Sequence, residues 1–374
     1  GTTKLTIGST SVDIPAIASV TSINGGQVGG SRNKIINGAM EINQRGTAAV
    51  AADGAMISDR WKEIEAGGGN MTCQVVADAP ASFRNSIKAI ASTADDCSQA
   101  ADEYRILHMI EGNNVVDLYY GNSGAKTTTL SFWVKSSLTG NFPVGLENSA
   151  SNRTHVKQYT INSADTWEKK SVTFVGDEAG TWLITNGTGL SVSFVLGAGS
   201  NYTGTIDSWQ GSRLYRGDSS VQFMATVNAT YFVTGVQLEV GSTATDFEYR
   251  SFGEELALCQ RYYEKSYDYD VAVGATTYIG MHLMGGNVAA TAGTSHISGP
   301  TIPFQVPKRD NPTIVAYDQA GNSGKCQRFQ LGNHNTDNQD ITVQSIGTNN
   351  FRYITSGSSN STGTQAHFTA DSEL

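Results

Sequence analysis

Short runs in which apolar and polar residues alternate follow one another through most of this chain, and they constrain its fold more than any other feature. TLSFWVKSS at residues 129–137 places Leu130, Phe132 and Val134 on one side of an extended strand and Trp133 on the other. KKSVTFVG, WLITNGTG, LSVSFVLGAGS and YFVTGVQLEVG continue the pattern, and the Asn-Gly of NGTG predicts a tight hairpin. About ten such runs without a long helix between them predict an all-β jelly roll or β-sandwich.

Turn-forming residues divide the 374-residue chain into segments. Residues 1–32 are interpreted as an extended arm for attachment or assembly, because residues 22–31 contain four glycines and behave as a flexible connection. Residues 33–250 hold the jelly roll. Residues 268–374 return to short strands rich in Gly, Ser, Thr and Asn, which predicts a second, smaller C-terminal β-sandwich.

A helical pattern lies between these two β segments. In residues 251–267, Phe252, Leu256, Cys259 and Tyr263 fall at helical spacing, and acidic residues occupy the first turn. We therefore expect a short linking helix over residues 251–267.

The charge of the chain limits its partners. Only 16% of the residues are charged, the formal net charge is -9, and no cluster of Lys and Arg is present. We therefore expect no nucleic acid partner, because binding to a phosphate backbone needs such a cluster. No apolar run approaches the roughly 20 residues of a membrane helix, so no membrane insertion is expected.

The four cysteines, Cys73, Cys97, Cys259 and Cys326, show neither a CxxC motif nor metal-ligand spacing. We expect four small, partly buried thiols in a protein that folds inside a reducing cell. A disulfide between Cys73 and Cys97 is the alternative.

No local motif predicts catalysis. The six histidines do not form an HExxH-type spacing, and neither a GxSxG elbow nor a phosphate-binding glycine loop occurs in a strand-to-helix context. We expect no enzyme activity and assign no catalytic residue. A pair of carboxylates for glycoside hydrolysis stays open as an alternative, because 34 acidic residues allow many pairs.

Aromatic side chains give the clearest functional signal, because flat rings stack on the apolar faces of sugars while nearby polar groups bond the hydroxyls. Tyr119, Tyr120 and Trp209 are the aromatics most expected at the surface, and Trp209 lies in a polar segment with Tyr215. Trp133 faces away from the core side of its strand. The candidate carbohydrate-binding residues are therefore Trp209, Tyr215, Tyr119, Tyr120 and Trp133.

The other three tryptophans have a structural interpretation. Trp61, which follows Asp59 and Arg60, is predicted to be a core anchor, and Trp167 and Trp182 are predicted to lie in the core or at its rim.

Hard oxygen ligands for calcium are scattered through the chain at Glu41, Asp207, Glu239 and Asp246, but without EF-hand-like spacing. Solvated carboxylates are the favoured interpretation, so we expect no cofactor and no metal site. Ca²⁺ at Glu41 is a weaker alternative.

Several motifs resemble one family. SRNKIINGAMEINQRGT at residues 31–47, followed by SDRW at residues 58–61, resembles the opening of a domain frequent in bacteriophage tail-fibre and related virion proteins. Residues 130–182 are similar to the carbohydrate-binding-module jelly roll of those proteins, and residues 232–266 resemble the junction that ends it. FQVPKRDNPT and AHFTADSEL resemble the C-terminal domain that often follows. NGAME, within the first motif, is loosely similar to the start of calcium-containing carbohydrate modules, with Glu41 in the ligand position.

This resemblance implies a virion component, assembled in the bacterial cytoplasm as a homotrimer, that touches host cell-surface glycan. Residues 1–30 match no pattern of this family. We expect the arm at residues 1–32 to pack on its own domain, on a sister subunit or on the particle, where it binds other virion proteins. The leading hypothesis is a tail-fibre or receptor-binding protein. A capsid decoration or head-fibre protein with a mainly structural role is the alternative, and a polysaccharide depolymerase is a third.

Overall fold

The computed structural model describes residues 22–23, 26–27, 31–285, 296–330, 338–356 and 361–374. Most of the predicted arm at residues 1–32 lies outside them. The described strands form antiparallel sheets, and one α-helix and four single-turn 3-10 segments accompany them, so the all-β prediction is confirmed. The strands up to residue 240 are β1 (Ser22–Ile23), β2 (Gly26–Gln27), β3 (Met56–Ser58), β4 (Trp61–Ala66), β5 (Asn70–Val76), β6 (Ser86–Thr93), β7 (Glu103–Glu111), β8 (Thr128–Ser136), β9 (Gly140–Glu147), β10 (Thr154–Ile161), β11 (Glu168–Phe174), β12 (Thr188–Ala198), β13 (Trp209–Gln210) and β14 (Thr230–Val240). The 3-10 segments are Gly112–Asn114, Val116–Leu118, Ser200–Tyr202 and Phe223–Ala225.

Two sheets form a sandwich. The larger has seven strands in the order β13-β10-β9-β12-β7-β4-β3, and the smaller has five in the order β11-β8-β14-β6-β5. Their inner faces meet in one apolar core, where the Phe132 and Phe194 rings lie 4.9 Å apart between sheets. The Tyr159 and Tyr231 hydroxyls also bond across the sandwich at 2.7 Å. Each fully buried phenylalanine contributes about 1.5–3 kcal/mol through the area that it removes from water.

The motif that opens the jelly roll is a buried polar network. The Asn37 side-chain amide donates a hydrogen bond to the Ile42 carbonyl, and its oxygen accepts one from the Ile42 N–H. The Asp59 carboxylate accepts hydrogen bonds from the backbone and the side chain of Gln44. Trp61 is fully buried, as predicted, and its indole N–H donates to the Asn37 carbonyl at 2.9 Å. The Asn-Gly and Asp-Arg-Trp pieces therefore stabilise this end of the fold.

A second β region follows the sandwich and has its own apolar core around Phe351, Tyr353 and Phe368. It is a curled, eight-stranded antiparallel sheet in which the last strand pairs with four others. Its strands are β15 (Tyr263–Lys265), β16 (His282–Gly285), β17 (His296–Pro303), β18 (Thr313–Tyr317), β19 (Lys325–Gln330), β20 (Gln339–Gln344), β21 (Asn350–Ser356) and β22 (Ser361–Asp371).

The linking helix α1 (Phe252–Gln260) is shorter than expected. Of the two residues near the expected start, Ser251 and Gly253, Ser251 is the N-cap, and its hydroxyl accepts a hydrogen bond from the Glu254 N–H. The helix ends before Tyr263, which pairs with Asp371 of β22. The expectation of helix through residue 267 is wrong at this end, because partners more than a hundred residues away satisfy the backbone as a strand.

The hairpin predicted at NGTG is also absent from the described fold. Residues 182–185 form no strand, and Asn186 lies in a bend that leads into β12. Leu183 and Ile184 are exposed. The apolar run WLIT has the sequence pattern of a strand, but among the described strands none pairs with it.

Ion pairs join the two β regions. Arg261 forms a bidentate bond with the buried Glu111 carboxylate, with N–O distances of 2.6 and 2.8 Å. Arg60, in the sandwich, bonds Glu373, near the end of the chain. Its guanidinium lies 3.6 Å from the centroid of the Tyr262 ring.

The four cysteines are buried, in agreement with the predicted thiols, and Cys73 and Cys97 do not form the alternative disulfide. None of the helices in the described ranges combines the length and the apolar character that crossing a membrane requires.

Candidate functional site

A groove runs across the outer face of the seven-stranded sheet. Strand alternation produces it, because Tyr104 and Ile106 of β7 point into the core while Glu103, Arg105 and Leu107 point outward. The sheet groove has a volume of about 520 Å³. It is lined by Asp53, Lys62, Ile64, Ala66, Glu103, Arg105, Leu107, Met109, Glu147, Asn148, Ser149, Ser151, Thr188, Ser191, Arg213 and Leu374.

Arg105 lies at the centre of the charges in this groove and is 3% exposed. Its Nε donates to Glu103 Oε1 at 2.6 Å and its Nη1 to Ser193 Oγ at 2.8 Å. The same Nη1 lies 3.5 Å from Glu147 Oε2. One buried guanidinium therefore fixes two carboxylates that come from β7 and β9.

Arg213 covers the same carboxylates from the loop after β13. Its Nη2 lies 3.5 Å from Glu103 Oε1, and its Nε lies 3.4 Å from Glu147 Oε1. Its side chain is 38% exposed, so it offers a guanidinium to a ligand in the groove. The groove thus presents fixed donors and acceptors side by side.

Tyr215 packs beneath this cluster. The guanidinium carbons of Arg105 and Arg213 lie 4.1 and 5.2 Å from its ring centroid, and the Tyr202 ring lies 5.0 Å away. Tyr215 is 3% exposed, and burial raises the pKa of its hydroxyl. The cations therefore cover the ring of this candidate carbohydrate-binding residue. Tyr202 is the half-buried aromatic at this edge of the groove.

The other predicted aromatics at the sandwich end cluster together. The Tyr120 ring lies 4.9 Å from Trp182 and 5.7 Å from Trp209. Tyr119 is 53% exposed, but Tyr120 is only 7% exposed and its hydroxyl bonds Thr128, so the prediction of an exposed Tyr120 is wrong. Trp209 is half-buried, because its ring packs on this cluster and its N–H donates to the Val175 carbonyl.

Trp133 lies on the outer face of the five-stranded sheet, opposite Phe132, as the alternation predicted. The structure therefore brings together Tyr119, Tyr120 and Trp209 and leaves Tyr215 and Trp133 in two other places. Trp167 is half-buried and Trp182 is buried, in line with their predicted core or rim positions.

The predicted calcium ligands do not converge. Glu239 is buried and accepts hydrogen bonds from Gln237 and Thr245, while Asp207 pairs with Lys157 at 3.1 Å on the surface. Within the described ranges, no three His, Cys, Asp or Glu side chains form a group that could hold a metal ion. Calcium at the half-buried Glu41 stays a prediction.

The charged residues of the sheet groove were not singled out from the sequence. Their signal is visible in EYRILHMIE, where Glu103 and Arg105 take alternate positions at the start of a strand in a chain with only 16% charged residues. Glu147 and Arg213 lie far along the chain: the register of β7, β12 and β9 places Glu147 near β7, and the loop after β13 brings Arg213 there.

No family model matches the chain, and no curated protein sequence matches it. Among solved structures, the chain is similar to the enzymatically active domain of bacteriophage CBA120 tailspike protein 4, with 11% identity, 56% of this chain and 21% of that chain covered, and a TM-score of 0.30. It is similar to TmCBM61 in complex with β-1,4-galactotriose, with 10% identity, 56% and 99% covered, and a TM-score of 0.27. It is also similar to a putative sugar-binding protein from Bacteroides thetaiotaomicron, with 12% identity, 56% and 100% covered, and a TM-score of 0.31.

Proposed function

We propose that this chain is a bacteriophage virion protein of the tail-fibre or receptor-binding type, whose sheet groove binds host cell-surface polysaccharide. The observation that carries the proposal is the alternating charge cluster of Glu103, Arg105, Glu147 and Arg213 on the outward face of the sheet. The sequence motifs that resemble virion proteins support the location in a phage particle.

A sugar hydroxyl both donates and accepts hydrogen bonds, so it suits a surface where carboxylates and guanidiniums alternate. Because Arg105 already holds Glu103 and Glu147 in place, a ligand orders few side chains when it binds. Ser149 and Ser151 in the lining add hydroxyl groups. Each groove binds a saccharide weakly, and several copies on one particle raise the avidity through effective concentration.

Binding, and not hydrolysis, is the proposed activity. Glu103 and Glu147 both form ion pairs with the buried Arg105, so neither carboxylate stands free to flank a glycosidic bond as the pair of a glycosidase does. The shape of the groove, open along the sheet, suits a polysaccharide chain more than a small metabolite.

The test is binding of the full chain to a glycan array and to envelope polysaccharide of candidate host bacteria. Arg213→Ala should lower retention at least tenfold, because it removes the exposed guanidinium of the groove while the buried Arg105 keeps the carboxylates in place. Arg84→Ala is the matched control, since Arg84 is exposed and lies outside the groove. Folded wild-type protein that binds no saccharide in either assay contradicts the proposal, as does equal retention of the two variants.

A further inference from the structure

An apolar pocket opens at one end of the sandwich, separate from the sheet groove. This end pocket has a volume of about 140 Å³. It is lined by Val115, Val116, Leu118, Tyr119, Tyr120, Asn122, Trp182, Leu183, Ile184 and Leu190. Asn122 supplies the one amide of the lining, so the pocket offers little to the hydroxyls of a sugar.

Large apolar side chains at the rim of the end pocket face solvent. Val116, Tyr119, Leu183 and Ile184 are exposed by 48%, 53%, 39% and 57%. Tyr119 also has a φ of 58°, a left-handed conformation that is costly for an aromatic residue. A contiguous apolar patch of this kind indicates a surface that is covered by a partner.

The pocket is preformed. The Gly112 N–H donates to the Gly187 carbonyl and the Asn113 N–H to the Thr185 carbonyl, which fixes its two walls against each other. The Trp182 indole N–H donates to the Ala179 carbonyl at 3.2 Å. A side chain that enters the end pocket therefore meets walls that are already fixed, so binding orders little of the surrounding chain.

The chain itself leads to this patch. A groove of about 440 Å³ beside the end pocket is lined by Ser31, Asn33 and Lys34, and the two cavities share Val116. Lys34 is anchored there by an ion pair of 2.8 Å with Asp117. Ser31 therefore lies in a groove that adjoins the end pocket.

The sequence before Ser31 carries side chains of the right chemistry. Leu5, Ile7, Val12 and Ile14 alternate with polar residues in its first half. An apolar cavity of roughly 150 Å³ accommodates one benzene-sized group, which is the size of an aliphatic side chain. Strands β1 and β2 pair with each other at residues 22–23 and 26–27, and the seven residues between Ile14 and β1 span at most about 25 Å at roughly 3.3–3.6 Å per residue.

We propose that an aliphatic side chain of residues 1–21 docks in the end pocket and ties this segment to the jelly roll. The nearly apolar lining favours this occupant over a saccharide. Its position next to the groove that holds Ser31 favours the chain's own segment over an unrelated partner. This docking is independent of glycan binding in the sheet groove.

The test is thiol labelling of the full chain carrying Ile184→Cys. The four native cysteines are buried, so a maleimide reacts with the new thiol. Labelling of Cys introduced at this position should be at least tenfold slower in the full chain than in a chain without residues 1–21. Val227→Cys is the matched control, because Val227 is 55% exposed outside the end pocket and should label equally in both.

A full-length variant with Leu5, Ile7, Val12 and Ile14 changed to Ser gives the same comparison without a deletion, and fast labelling in it supports the proposal. Equal labelling in the parent and in both altered chains overturns it. Protection that persists without residues 1–21 and grows with protein concentration also overturns it, because a second copy then covers the patch. If adding a full-length chain without Ile184→Cys slows the labelling of the chain that lacks residues 1–21, the proposal is supported, because residues 1–21 of another copy then dock in the end pocket.

Discussion

Glu63 and Glu65 point to the same side of β4, and the Glu63 side chain is fully buried. Burial, together with the neighbouring charge of Glu65, raises the pKa of Glu63 to about 9. The Glu63 carboxyl is therefore protonated in the folded protein at neutral pH. In the unfolded chain it ionises near its usual pKa of about 4.3.

The sign of the resulting pH dependence follows from proton binding. Between pH 5 and 9, roughly the interval between the two pKa values, the folded state holds a proton that the unfolded state has lost, so this group lowers stability as pH rises. The limiting slope is about 1.4 kcal/mol per pH unit. Glu63→Gln should flatten the dependence, measured as the free energy of unfolding in urea at pH 5 and pH 8. Glu254→Gln, an exposed change, should leave the slope as it is, and an unchanged slope in Glu63→Gln contradicts the argument.

His155 should contribute a dependence of the opposite sign on the acidic side. Burial, together with the charge of Lys157, lowers its pKa to about 4. The unfolded chain takes up the proton near pH 6.5, so stability falls as the pH drops from about 6.5 towards 4. His155→Phe keeps the ring contacts with Phe174 and Trp209, both at 5.1 Å. It should raise the melting temperature more at pH 5 than at pH 7.5; a gain equal at both values would rule out this titration.

Arg105 should be essential for the stability of the sheet groove. Arg105→Met leaves Glu103 and Glu147 without their buried cation and should cost about 3–5 kcal/mol in urea unfolding. Arg213→Ala, at a more exposed position, should cost less than about 1 kcal/mol. Adding Glu103→Gln and Glu147→Gln to Arg105→Met should recover most of the loss, and a triple variant as unstable as the single one argues against charge as the cause.

A trimer is expected from the resemblance to fibre proteins. Sedimentation equilibrium at micromolar concentration should give three times the chain mass of 39.7 kDa. A mass of one chain under these conditions would refute the trimer, and glycan binding would then have to be measured on the monomer.

Local patterns in the sequence predicted much of the sandwich. The alternation in TLSFWVKSS and YFVTGVQLEVG predicted β8 and β14, and Trp61 was predicted in the core. Ser251, followed by acidic residues, predicted the start of α1. These signals are local, because the period of apolar residues and the capping hydroxyl depend on neighbours within a few positions.

Only the tertiary structure decided where the chain departs from its local pattern and which charges meet. Tyr263 is a strand residue because β22 lies beside it, and Leu183 stays exposed because no strand does. Glu103, Glu147 and Arg213 come together through the register of β7, β12 and β9 and the loop that crosses them. Such pairings join residues far apart in the chain, and their energies depend on burial and mutual distance, which no local window of sequence contains.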